Sequence, residues 1–166
     1  MPTTVKSEYI MESWAEVIEN GAGHANEVMQ NTERLIIDAN MPSVRTRMDQ
    51  VSTGLFGQRR DFLIVTNDNL REYRMFITAR DYGKMLDCAW FLTLEPRGLK
   101  RALSKAMTGN PQAFSMQVDM FAQQDIRAFA TVATEMFKKA LNDLLEELKL
   151  DPSILNKKSR GYLDIW

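Results

Sequence analysis

Residues 59–66 read RRDFLIVT, residues 70–80 LREYRMFITAR and residues 84–96 KMLDCAWFLTLEP. The three runs are rich in β-branched, aromatic and aliphatic residues. They are separated by Asn67-Asp68-Asn69 and Asp81-Tyr82-Gly83, residue types that favour turns. This spacing predicts an antiparallel meander. In the third strand Tyr73, Met75, Ile77 and Ala79 share a face. In the fourth Leu86, Cys88, Trp90, Leu92 and Leu94 do. Bringing the two rows together requires a loop with an even number of residues, and Arg80-Asp81-Tyr82-Gly83 supplies one. The same argument, across Asn67-Asp68-Asn69-Leu70, places Phe62 and Ile64 on that core face. The opposite face would then carry Leu63, Val65, Phe76, Met85, Ala89 and Phe91 among Glu72, Arg74 and Asp87. That is too apolar for a face left in water, so a second element or a partner should cover it.

Upstream, Val44 to Gly54 alternates weakly and reads as an edge strand. Arg45 and Arg47 lie on one face, and Val44, Thr46 and Met48 on the other. Before it, Ile10, Trp14, Val17, Ile18, Gly21, Ala25, Val28, Met29, Thr32, Leu35 and Ile36 recur in steps of one, three and four. They predict one long helix from about Ser7 to Ala39, ended by Asn40-Met41-Pro42. Downstream, residues 98–107 (GLKRALSKAM) form a short basic amphipathic helix. Residues 113–121 fit either a strand or an extension of the helix that follows. That helix, about Gln124 to Lys149, has the cleanest stripe in the chain, from Ile126 and Phe129 through Phe137 to Leu148.

The expected fold is α+β: an antiparallel sheet of four or five strands packed with two long amphipathic helices, in the order α-β-β-β-β-α-(β)-α. Residues 1–150 form one domain. Residues 151–166 form a C-terminal extension. Its last six residues, Gly161-Tyr162-Leu163-Asp164-Ile165-Trp166, are too apolar to be left free, so Tyr162, Leu163, Ile165 and Trp166 should dock on the domain or on a neighbouring subunit.

Composition bounds the function. The chain has 166 residues, 45% hydrophobic and 26% charged, as in an ordinary globular domain. No run approaches the ~18 apolar residues of a membrane span. The N-terminus, with Glu8, Glu12, Glu16 and Glu19, lacks the order of a secretion signal. The lone Cys88 cannot form an internal disulfide. A cytoplasmic location is the expectation. The net charge of −1 hides a basic stretch: residues 44–105 hold 12 basic and 7 acidic side chains, against 2 and 7 in residues 1–43. The acidic N-terminal helix is expected to neutralise this basic stretch.

Catalytic chemistry lacks its parts. The chain has one histidine and one cysteine, and it contains no phosphate loop, dinucleotide fingerprint or nucleophile elbow. His24 reads as a solvated helix residue. Asp81, Asp87, Glu95, Asp119 and Asp125 are carboxylates, but their spacing singles out no acid–base pair. No enzyme and no cofactor is expected. Nucleic acid is disfavoured as a partner: Arg45, Arg47, Arg59, Arg60, Arg71 and Arg74 lie on or beside the sheet, but no RNP-type motif accompanies them and the pI is 5.9.

Two readings remain. The first is an interaction module that forms homo-oligomers or takes a protein partner. A helix of about 33 residues is ~50 Å long and overhangs strands that span ~27 Å. Gly21 and Ala25 would allow close helix approach, and Leu63, Val65, Phe76 and Phe91 add an apolar sheet face. The alternative is a domain for a small apolar ligand, with Trp14, Tyr73, Trp90, Phe129 and Phe137 lining a pocket between sheet and helix. The 11 methionines allow adaptable packing in either case.

Overall fold

The computed structural model describes residues 3–4, 9–52, 57–95 and 120–161. The meander forms as expected from β3 (Val44–Ser52), β4 (Arg59–Asn67), β5 (Tyr73–Tyr82) and β6 (Met85–Leu94). These follow β1 (Thr3–Thr4), β2 (Tyr9–Ile18) and a helix, α1 (Ala25–Asp38). They precede a second helix, α2 (Met120–Glu147), a 3-10 turn at Pro152–Asn156, and β7 (Arg160–Gly161). The strand order is β1-β3-β4-β5-β6-β2-β7. Six of these strands are antiparallel to their neighbours, and the two-residue β1 runs parallel to β3 at one edge. The α+β class therefore stands, but the sheet is larger and the first helix shorter than expected.

The long N-terminal helix is a correction. Residues 9–18 form a strand that pairs with β6, from Tyr9↔Leu94 to Ile18↔Leu86, with a bulge between Ile10 and Glu12. The step of four from Trp14 to Ile18 fits the helical period, but it is also an even number and so fits a strand. The chain then turns at Asn20, whose φ of 58° no helix accommodates. Gly21 sits in this turn, where a Cβ would lie 2.7 Å from Leu86 Cβ, so the strand–helix connection closes onto β6 only with glycine. His24 is the N-cap of α1, not a mid-helix residue. Only α1 keeps the predicted stripe, burying Val28, Met29, Thr32, Leu35 and Ile36, and it ends at Asn40 (φ 47°) as expected. At 14 residues it is about 21 Å long, so the predicted overhang does not arise.

The β5–β6 register is the predicted one: Met75↔Leu92, Ile77↔Trp90 and Ala79↔Cys88. The pairing runs on to Tyr82↔Met85, leaving a two-residue turn that is even, as the argument required. The β4 assignment is the second correction. Thr66 pairs with Arg74 and Leu63 with Ile77, so an odd number of residues separates the paired positions. Every side chain of β4 is therefore turned over. Leu63 and Val65 join the main core, while Phe62 and Ile64 face the other way.

The helices cover one face. α1 crosses from β2, near one edge, to β3, near the other, and packs on β5 and α2. α2 begins earlier than expected and buries Ile126, Phe129, Ala133, Phe137, Leu141 and Leu145, among others. The predicted basic helix at 98–107, residues 113–119 of the ambiguous run and the tail at 162–166 lie outside the described residues.

Cys88 is wholly buried on the core face of β6. Burial, and then the neighbouring Asp87 and Glu16 carboxylates, push its thiol up to about 12 from an ordinary 9.0. Between those values the unfolded chain releases a proton that the native chain keeps. The contribution to stability is full below about pH 9 and is lost as pH rises towards 12. Urea unfolding of wild type should therefore weaken more steeply over that window than unfolding of Cys88→Ala. Native protein at neutral pH should react with thiol reagents far more slowly than unfolded chain.

Candidate functional site

The five aromatic residues predicted to line a pocket come together, but as core. Trp14, Tyr73, Trp90, Phe129 and Phe137 all belong to the main buried cluster. Trp14 meets Phe137 edge to face, with ring centroids 6.2 Å apart. Burial, and then Glu72, raise the pKa of Tyr73. Trp90 Nε1 is buried and has no acceptor among the described residues.

An open groove of about 810 Å³ lies elsewhere, where the first turn of α1 stands over the ends of β3, β4 and β5. Met29, Met48 and Ala79 give it apolar surface. Arg59, Arg60 and Arg80, with Asp49, Asp61 and Asp81, give it charge of both signs. Asp81 accepts the backbone N–H of Gly23 at 3.0 Å and so ties the helix entry to β5. The groove went unread in the sequence because its residues come from four elements and share no spacing. Of the predicted interface residues, Ala25 lies on its wall, while Gly21 is buried in the turn and Leu63 and Val65 are buried in the core.

The acidic N-terminal helix expected to neutralise the basic stretch does not form, and four arginines of the stretch pair instead with carboxylates within it. Arg45 pairs with Asp68 (2.8 Å), Arg47 with Asp49 (3.2 Å), Arg74 with Glu95 (3.2 Å) and Arg80 with Asp87 (2.9 Å). Among the carboxylates considered for acid–base work, Asp87 and Glu95 are thus engaged by arginine. Asp81 is engaged by backbone.

The outer sheet face, away from the helices, has two parts. Val51, Ile64 and Phe76 form a small buried cluster, with Phe62 and Phe91 partly buried against it. Phe76 and Phe91 of the predicted interface therefore share this face and pair across β5 and β6. Towards the β5–β6 turn the face opens. Ala15 is exposed, as are Val17 (49%), Tyr82 (67%) and Met85 (36%). Register brings them together: Val17 pairs with Asp87, Ala15 with Ala89 and Tyr82 with Met85. Arg80 lies over the Tyr82 ring at 5.4 Å while bonded to Asp87, giving the patch one cation and one anion.

The chain beyond α2 returns to β2. Asp151 caps the 3-10 turn by accepting from Ser153 N, and Leu155 is buried. Trp14 Nε1 donates to the Lys157 carbonyl at 2.8 Å, and Ser159 Oγ donates to the buried Glu12 carboxylate at 2.5 Å. β7 then pairs with Glu12 and Ser13. At Gly161 (φ 149°) a Cβ would overlap the Met11 carbonyl oxygen, so the strand lies this close only because that position is glycine. Tyr162, Leu163, Ile165 and Trp166 follow directly. The docking expected of those four falls outside the described residues, and the segment before them packs on β2 through Lys157, Ser159 and β7.

Removing the Ser159 hydroxyl takes one hydrogen bond from a buried carboxylate. Ser159→Ala should lower unfolding stability by about 1–3 kcal/mol at unchanged m-value. Its exposed neighbour Lys158→Ala should stay within about 0.5 kcal/mol of wild type. Equal effects from both would break the account of this latch.

No family model, curated protein or solved structure matches this chain.

Proposed function

We propose that this chain is a non-enzymatic interaction module that self-associates through the open part of its outer sheet face. The observation that carries the reading is the exposed cluster of Val17, Tyr82 and Met85 beside Ala15, held on three paired strands. A rigid sheet presents these side chains without ordering a loop, so little conformational entropy is lost on association. The Arg80–Asp87 pair on the same face gives a second copy complementary charges to meet. Two-fold pairing of such a patch with itself is the simplest closed arrangement.

The alternative, a small apolar ligand held between sheet and helix, has less support, since the aromatic residues that would line its pocket are packed against one another. A nucleic-acid role is weakened by the internal pairing of four sheet arginines.

Light scattering and sedimentation at about 100 μM should report a dimer or larger species, because a specific interface of standard size binds tighter than that. Val17→Glu and Tyr82→Ser should each weaken association by about 30-fold, the equivalent of a ~2 kcal/mol hot spot, with little change in Tm. A monomeric wild-type mass at that concentration would refute the proposal.

A further inference from the structure

We infer that His24, Glu27 and Glu147 form a binding site for a divalent transition-metal ion of the zinc type, clasping the start of α1 to the end of α2. Their ligand atoms, one imidazole nitrogen and two carboxylate oxygens, all lie within 4.8 Å of one another. His24 Nδ1 and Glu27 Oε2 are already 3.2 Å apart. In a tetrahedral zinc site with bonds near 2.1 Å, neighbouring ligand atoms are about 3.4 Å apart, so one edge of the polyhedron is in place. Moving the Glu147 carboxylate the remaining distance needs only a side-chain rotation, since both glutamates are exposed.

The set is mixed, and its electrostatics call for a cation. Glu147 is the last residue of α2, and that helix has no basic side chain in its last turn. A carboxylate there adds to the negative end of the helix dipole instead of offsetting it. It also faces a second carboxylate, Glu27, and among the described residues it makes no ion pair or hydrogen bond of its own. The N-terminus of α1 and His24 offset the charge of Glu27, while Glu147 at the α2 C-terminus has no such partner, and a cation held between the two carboxylates would offset both. The chain's single histidine is held at that place.

One imidazole with two carboxylates suits zinc and its first-row neighbours better than calcium or magnesium, which take oxygen ligands. Three protein ligands leave a fourth position for water, or for a donor atom from another molecule. The ion would cross-link two helices that lie far apart in sequence and pack on each other, so binding would add to the stability of the helical layer.

The test uses the tag-free full-length chain, dialysed against chelator and titrated with zinc chloride by calorimetry. One ion per chain is expected, with a rise of several degrees in Tm. The single imidazole gives one set of ring signals by NMR, and these should shift or broaden as zinc, or paramagnetic cobalt, is added. His24→Gln and Glu147→Gln should each weaken binding at least tenfold, while Cys88→Ala should leave it unchanged. Either variant is checked for folding by its metal-free Tm. Absence of binding at 100 μM zinc, binding that survives both substitutions, or unmoved histidine signals at saturation would each overturn the assignment. Binding of calcium or magnesium in preference to zinc would overturn the imidazole's role as a ligand.

Discussion

The pairing of β2 with β6 is the constraint on which the rest of the molecule depends. β2 lies next to the last strand of the meander, while β3, which follows it after α1, lies at the other side of the sheet. α1 must therefore cross one face from side to side, and that crossing decides which face is covered. The same pairing sets Trp14 opposite Trp90, with Phe137 edge-on to the Trp14 ring, so large aromatic side chains from two strands and α2 gather at one place. Full burial of such a side chain contributes about 1.5–3 kcal/mol, and misplacing β2 would expose several together.

β2 also carries the C-terminal segment. Its outer edge accepts β7, its Trp14 indole holds the Lys157 carbonyl, and its buried Glu12 accepts from Ser159. A buried carboxylate is costly unless its acceptor capacity is used, so Glu12 and the returning chain depend on each other. At its other end β2 turns through Gly21 into His24 and α1, so one strand positions both the latch and the entry to the helical layer.

The two sheet faces follow different rules. The helix-covered face is packed with aliphatic and aromatic groups. The outer face mixes a small buried cluster, a row of arginine–carboxylate pairs and an open apolar end. Ion pairs at such exposure add little stability, generally 0–1 kcal/mol each. Their larger effect is local, because each sets a carboxylate beside an arginine and so weakens the positive field at that place. What the outer face then offers a partner is shape and apolar surface more than charge.

How much was legible depended on distance along the chain. The β5–β6 register followed from ten-residue alternation and a short even loop, since both constraints act between near neighbours. α2 was readable because its stripe holds phase over seven turns, where no other period fits. β2 was not, because Trp14 and Ile18 satisfy both periods and only the presence of β6 alongside decides between them. The facing of Leu63 and Ile64 turned on one residue in a loop whose length is set by where pairing begins. The groove left no trace in the spacing, since its members come from four elements, and of the His24, Glu27 and Glu147 cluster only the step of three between His24 and Glu27 lies within one element. By itself the sequence determined the local periods, and with them most of the elements. Tertiary structure alone decided that β2 lies beside β6, which face β4 turns to the core and which side chains meet across separate elements, because these depend on where pairing begins and on segments far apart in the chain.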